Sequence, residues 1–426
     1  MADQTQASLV GKTYDALDFS IERGDRVILR GLASRVAELA DRSLEKELRA
    51  LWYRHNMLEE TRPLIFCDPE NGWNEIIGSR DLRCTGTLAR EWEMTLRKEI
   101  FWAESMGDDR VTEPVFDVPY VYTELDWGMH ETKIGGGDGG SYVWDAPLKS
   151  YDDLDKLRYP GIEVNSEATG MLVSLAGELF DDFLTVRLKG KWWWTLGMTW
   201  TLVNLRGLRQ VMYDVYDNPD GLHALMGFLR DGHCAKLRYL EEHNLLSLNN
   251  DGTYVGSGGF GWTTELPRGD FDGARVRTSD MWGFAESQET TTWSPEMFAE
   301  FIFPYQLPIL ERFGLNCYGC CEPLDKRWRY IQNIPRLRRV SVSPWADIEV
   351  MAEQLGNRYI FSLKPNPAYL AVPVMDEDFV RSGLKKTMAA IHDCRVEIIM
   401  KDNHTIGNNP ENVKRWCRIA REETER

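Results

Sequence analysis

The sequence predicts an α/β protein, a (β/α)8 TIM barrel carrying an N-terminal helical extension and a long insertion. Three observations lead there. Eight short apolar segments, starting near residues 64, 115, 184, 245, 315, 339, 359 and 396, alternate with stretches of helical periodicity. These segments are apolar almost throughout, as strands of a parallel sheet covered on both faces must be. Polar residues able to do chemistry follow the segments directly: Asp68 and Glu70, Lys189, Asp251, Cys320 to Glu322, Lys364, Asp402 and His404. In a barrel these positions form one rim.

Composition narrows the function classes. A chain of 426 residues with 43% hydrophobic content buries a large core, and a net charge of -17 argues against nucleic acid or an anionic membrane surface as partner. The polar start Met1-Ala-Asp-Gln-Thr-Gln lacks the apolar run of a signal peptide, and no stretch is long and apolar enough to span a bilayer. A cytoplasmic protein with reduced cysteines is expected.

Residues 1–60 read as a helical extension, with Leu32, Val36, Leu39, Leu44, Leu48 and Leu51 forming a surface-packed pair, and 61–426 as the barrel. The first strand is expected at Pro63–Cys67, a helix at Thr87–Met106, and a second strand in the run Val115–Tyr122. Residues 123–183 interrupt the rhythm as an insertion. Within it, Ile134-Gly135-Gly136-Gly137-Asp138-Gly139-Gly140 matches a dinucleotide-binding string but follows no buried strand, so a loop or lid is the better reading.

From 184 the alternation is regular. Leu184–Leu188 leads to Trp192-Trp193-Trp194, which either wall a pocket or pack between strand and helix. Asn218-Pro219 starts a long helix with Leu222, Met226, Leu229, His233, Leu237 and Leu240 on one face, which makes His233 a packed histidine. A strand at Leu245–Asn250 follows, then a long connection that contains Glu286. Ser294-Pro295-Glu296 opens a helix running to Phe313, with serine as cap and proline at the first turn.

The stretch Cys317-Tyr318-Gly319-Cys320-Cys321-Glu322 then places three thiols and a carboxylate at a strand end. Soft ionisable ligands in this position suit a metal or thiolate chemistry. Cysteines also serve as small buried hydrophobes, and the spacing is not that of a zinc finger.

The chain resembles the uroporphyrinogen decarboxylase superfamily and, within it, the corrinoid-linked methyltransferases. The resemblance rests on Trp52-Tyr53-Arg54-His55-Asn56 with Thr61–Leu64, on Asp280-Met281-Trp282-Gly283-Phe284 through Ser294–Phe298 and Phe303-Pro304-Tyr305, on Tyr318–Pro323, and on Lys401-Asp402-Asn403-His404-Thr405 before Asn409-Pro410-Glu411. It implies zinc at the barrel mouth and methyl transfer between a methylated small molecule, an O-methyl or N-methyl compound, and a corrinoid. Family members use a His-x-Cys pair and a later cysteine, whereas this chain has Cys317, Cys320 and Cys321 with His404 after the last strand. These four are the candidate ligands, with Glu322 and Glu286 as oxygen alternatives. Glu286 or Asp251 is the candidate proton donor, and Trp192, Trp194 and Lys364 are candidate substrate contacts.

The corrinoid-binding pattern Asp-x-His-x-x-Gly is incomplete here, since Lys236 follows Asp231 and His233 where glycine should stand. The corrinoid is therefore expected on a partner protein. The decarboxylase branch fits less well, because Asp68 and Glu70 occupy the place where those enzymes carry an arginine for substrate carboxylates. A metal-independent lyase of the same superfamily and a methylcobamide-to-thiol methyltransferase are the alternatives.

Overall fold

The computed structural model describes residues 19–135 and 142–425. Most of the glycine-rich string, Gly136 to Gly140, lies outside the described residues. The chain opens with α1 (Arg23–Ala40), whose Leu29, Ala33, Val36 and Leu39 recur at three- and four-residue intervals and are buried. Next, α2 (Ser43–Asn56) departs from the expected surface-packed pair. Its last turn is driven inward, with Trp52, His55 and Asn56 fully buried.

The order continues β1 (Leu64–Cys67), α3 (Trp73–Ile76), α4 (Thr87–Phe101), β2 (Val115–Val118), β3 (Tyr122–Glu124), β4 (Thr132–Gly135), β5 (Tyr142–Asp145), β6 (Ile162–Val164), α5 (Ser166–Phe180) and β7 (Thr185–Leu188). The expected helix 87–106 is α-helical to Phe101 and ends in a π turn at Trp102–Met106. The insertion contains two antiparallel pairs, β3 with β6 and β4 with β5. Then come α6 (Thr199–Arg206), α7 (Leu208–Asp217) and α8 (Pro219–Glu242), the last capped by the Asn218 side chain, which accepts from Gly221 N at 3.0 Å.

The remaining elements are β8 (Trp282–Ala285), α9 (Pro295–Phe301), α10 (Phe303–Leu310), β9 (Leu315–Tyr318), α11 (Trp328–Ile331), β10 (Leu337–Val342), α12 (Ile348–Leu355), β11 (Ile360–Leu363), α13 (Glu377–Ala390), β12 (Arg395–Met400) and α14 (Glu411–Thr424). Ser294 caps α9 as expected, its Oγ accepting from Met297 N at 3.2 Å. The helix does not run on to Phe313. It breaks at Ile302, because Pro304 has no N–H to donate back into the preceding turn.

Six parallel strands form the central sheet in the order β1-β12-β11-β10-β9-β8, and β2 pairs with β7 in a separate parallel ladder. The expected α/β class with parallel strands holds. Two assignments change. Leu245–Asn250 is not a strand, and Trp282–Ala285, expected in a connection, is one. The Asn249 side chain replaces a backbone ladder between them, accepting from Trp282 N at 2.9 Å and donating to Trp282 O at 3.0 Å. A second apolar cluster, including Leu29, Trp92, Phe116 and Phe180, fastens α1, α4 and α5 onto the β2–β7 pair.

No helix among the described residues is long and apolar enough to cross a membrane.

Candidate active site

The carboxyl ends of β9 and β12, which β10 and β11 separate in the sheet, bring thiols, carboxylates and a buried lysine together. After Tyr318 the backbone turns at Gly319, φ 90°, where a Cβ would collide with Leu324. This turn delivers Cys320, almost fully buried, and Cys321, partly exposed. Their Sγ atoms stand 3.5 Å apart.

Glu322 braces the turn. Its carboxylate accepts from Cys320 N at 2.9 Å and from Ser287 N at 2.7 Å, which ties the end of β9 to the end of β8. Arg327 completes the brace by donating to Ser287 Oγ at 2.8 Å.

Three groups polarise Cys320. The Cys321 thiol faces it, Ser257 Oγ donates to its Sγ at 3.2 Å, and the Lys401 ammonium is nearby, 3.4 Å from Ser257 Oγ. The hydrogen bond from Cys321 is the largest influence and, with help from Lys401, brings Cys320 down to about 7 against the opposing effect of burial. Cys321 is driven the other way by the same bond and by burial, so Cys320 ionises first. The Cys321 S–H also faces Asp402 Oδ2, at 3.6 Å.

Lys401 is buried, which disfavours its charge, but Tyr254, Cys320, Asp402 and Glu70 outweigh burial and keep it protonated. Its Nζ is 3.2 Å from Asp402 Oδ1 and 3.9 Å from Glu70 Oε1. Burial raises Glu70 to about 7, with Lys401 opposing. Both carboxylates stand on left-handed backbone, φ 49° at Glu70 and φ 62° at Asp402, an unusual conformation for residues with side chains. Such strain is concentrated at functional sites.

Below the thiols a buried ionic network fills the interior. Glu397 on β12 meets Arg339 Nε at 2.9 Å, the Ser362 hydroxyl at 2.5 Å and His55 Nε2 at 3.3 Å. Lys364 belongs here: buried, brought down to about 8 by that burial, it donates to Ser362 Oγ at 2.6 Å. Cys317 also faces inward. It shares an apolar cluster with Cys320, but its Sγ lies 3.7 Å from Arg339 Nη1 and its thiol is pushed up by burial.

The other sequence candidates fall in different places. Glu286 is fully buried beside the β8 end, its Oε2 accepting from Gln288 N at 2.8 Å while Oε1 has no partner. Burial first, then Glu289 and Glu322, raise it well above the usual carboxylate range, so it holds a proton at neutral pH. Asp251 instead is a fixed anion. Lys189 at 2.8 Å and Arg187 at 3.1 Å outweigh its burial and keep it low.

Trp192 is core, donating to Leu245 O at 2.8 Å and packed on Tyr120 and Tyr122. Trp194 packs on Phe284 against the cluster holding Cys320 and Cys321. His404 is exposed and lines a small cavity with Glu70, Asn71, Asp402 and Asn403. His233 is packed beside Trp127, its charge so disfavoured by burial that it is brought down to about 3.

Sequence reasoning missed Ser257, Arg339, Glu397 and the roles of Lys401 and Asp402. For Ser257 a signal existed in Gly256-Ser257-Gly258-Gly259. A Cβ at Gly256 would run into Cys317 and one at Gly259 into the Glu397 and Arg339 side chains, so only glycine lets this loop enter the interior.

Among the described residues no three histidine, cysteine, aspartate or glutamate side chains form a group able to hold a metal ion as they stand. Cys320, Cys321 and Asp402 form an open chain of contacts, with donor types that suit zinc.

No protein-family description and no curated protein sequence matches the chain. Among solved structures, a methyltransferase from Methanosarcina mazei is similar over 88% of this chain and 97% of its own, at 12% identity and a TM-score of 0.48.

Proposed function

We propose that this chain is a zinc-dependent methyltransferase that moves a methyl group from an O-methyl or N-methyl small molecule to a corrinoid carried by a partner protein. In this reading β2 and β7 join the six strands of the central sheet to complete an eight-unit barrel around the site. The observation that carries the proposal is the Cys320–Cys321 pair at the sheet's carboxyl edge, with Asp402 against it and Lys401 beneath. A redundant structural pair of cysteines would not need a buried lysine and a serine hydroxyl aimed at it.

Cys320, Cys321 and Asp402 are the residues that would hold zinc. Bound there, zinc supplies a Lewis acid for the heteroatom that loses its methyl group. Lys401 offsets the negative charge of the thiolates, and Ser257 orients Cys320. Glu286, neutral and with Oε1 free of a partner, is the residue proposed to protonate a departing alkoxide, phenoxide or amine. Trp194 covers the apolar flank of the thiols and limits water there.

The test is methylation of reduced cobalamin by the purified, zinc-supplemented chain with methanol, a methoxybenzene and methylated amines as donors. Formation of methylcobalamin with at least one donor, lost in Cys320→Ala, supports the proposal. Equal rates for native and Cys320→Ala chains, or none with any donor while a decarboxylation of a test acid proceeds, overturn it in favour of a lyase.

A further inference from the structure

The helix α7 has two unlike faces. Val211, Asp214 and Val215 are buried against the rest of the chain. The opposite face is apolar and open: Leu208 is 43% exposed, Met212 43%, Tyr213 55% and Tyr216 74%. A single exposed apolar side chain is ordinary, but four on one helix of 10 residues make a patch. Its composition points to a protein partner. Tyrosine, methionine and arginine are enriched at the centres of interfaces and lysine and glutamate depleted, and α7 contains neither of the last two.

Two charges bound the patch, Arg209 and Asp217, both exposed. Among the described residues neither makes an ion pair, whereas Asp214, the remaining charge of α7, is held by Arg206 at 2.6 Å. Arg209 stands four residues before Tyr213 and Asp217 four residues after it, so the three lie on one row of the helix surface. The two charges are then about 6 Å to either side of the tyrosine along the axis. Such a row complements itself. Laid antiparallel beside its own copy, about a twofold axis at Tyr213, it brings Arg209 of each copy to Asp217 of the other. The Tyr213 rings meet at the axis, and Leu208, Met212 and Tyr216 form the adjacent row, which packs alongside as interdigitating helix rows do.

We infer that this face docks a second copy of the chain, through α7 of each copy and about a twofold axis at Tyr213. A different protein would have to supply an anion for Arg209 and a cation for Asp217 at matching positions; a second copy carries both. The exposed ion pairs contribute little affinity by themselves. They fix the register, while the apolar side chains supply the burial. No residue of α7 belongs to the candidate active site, so the inference stands apart from the methyl-transfer reading.

Analytical ultracentrifugation of the full chain at low salt, from about 1 to about 100 µM, tests it. The native chain should dimerise within that range. Arg209→Glu and Asp217→Arg, each alone, set like charges against each other at both ends of the contact and should weaken the dimer by roughly tenfold or more. Tyr213→Glu, which sets two carboxylates at the axis, should do the same. Mixed in equal amounts, the Arg209→Glu and Asp217→Arg chains oppose unlike charges at both pairs and should dimerise as the native chain does. The double variant Arg209→Glu/Asp217→Arg should as well, a recovery that misfolding does not produce. A native chain still monomeric at about 100 µM overturns the inference and leaves the face to a different protein. A native dimer unmoved by Tyr213→Glu and Arg209→Glu overturns it in favour of another face, and single variants that stay apart on mixing overturn the antiparallel register.

Discussion

Arg339→Met probes the deepest electrostatic feature under the site. The Arg339 side chain is 2% exposed and its partner Glu397 is fully buried. Burial by itself would raise Glu397, but Arg339, then His55 and Lys364, outweigh it and hold the carboxylate at about 2, against an ordinary 4.5. That depression corresponds to ~3 kcal/mol of folded-state stabilisation at neutral pH. The folded value is the lower one, so the contribution is complete above about pH 4.5 and is lost as pH falls from there towards 2. Arg339→Met strands a buried carboxylate, which should cost about 3–5 kcal/mol at pH 7. The gap between variant and native should shrink at about pH 3, where the stranded group takes up a proton. Arg339→Met/Glu397→Leu should recover part of the loss, because the buried carboxylate leaves together with its arginine and Lys364, already brought down by burial, can shed its proton. Urea unfolding followed by tryptophan fluorescence at the two pH values measures all three chains. An equal gap at both pH values, or a double variant as unstable as the sum of its singles, would refute the reasoning.

Further outcomes follow from the same geometry. In metal-stripped protein, alkylation of Cys320 by iodoacetamide should rise with a midpoint near pH 7, and Cys321→Ala should move that midpoint upward towards the ordinary 9; a native midpoint at or above 9 contradicts the polarised pair. Glu286→Gln should change stability by less than about 1 kcal/mol, since the native group is already neutral, while slowing methyl transfer by roughly 10²-fold or more; an unchanged rate removes Glu286 from the chemistry. Gly197→Ala would drive a Cβ against the Glu286 backbone and to 2.8 Å from its Oε1. A loss of roughly 1–3 kcal/mol in thermal or urea unfolding is expected, and a neutral substitution would show that Glu286 is not held there.

The residues whose placement could be read in the sequence are those whose local pattern and tertiary role agree. Apolar runs at 64, 315, 339, 359 and 396 are strands, and Ser294 caps its helix, because a strand buried on both faces and an N-cap leave local signatures. The thiol pair was visible for the same reason, directly after an apolar run. What stayed hidden depends on distant partners. Asn249 substitutes its side chain for a ladder, so an apolar run at 245 is not a strand. Asp402, not His404, turns onto Cys321, a choice made by the left-handed backbone at 402 and not by residue type. Cys317, three residues before Cys320, is claimed by Arg339 from the neighbouring strand, a contact that no spacing reveals.

The central claim is that Cys320, Cys321 and Asp402 hold zinc, and metal content of the purified chain tests it most directly. The account predicts about one zinc per native chain, retained in Cys317→Ala and His404→Ala and lost in Cys320→Ala, Cys321→Ala and Asp402→Asn. A folded native chain that stays metal-free when zinc is added would contradict it, as would zinc that survives Asp402→Asn but is lost in His404→Ala.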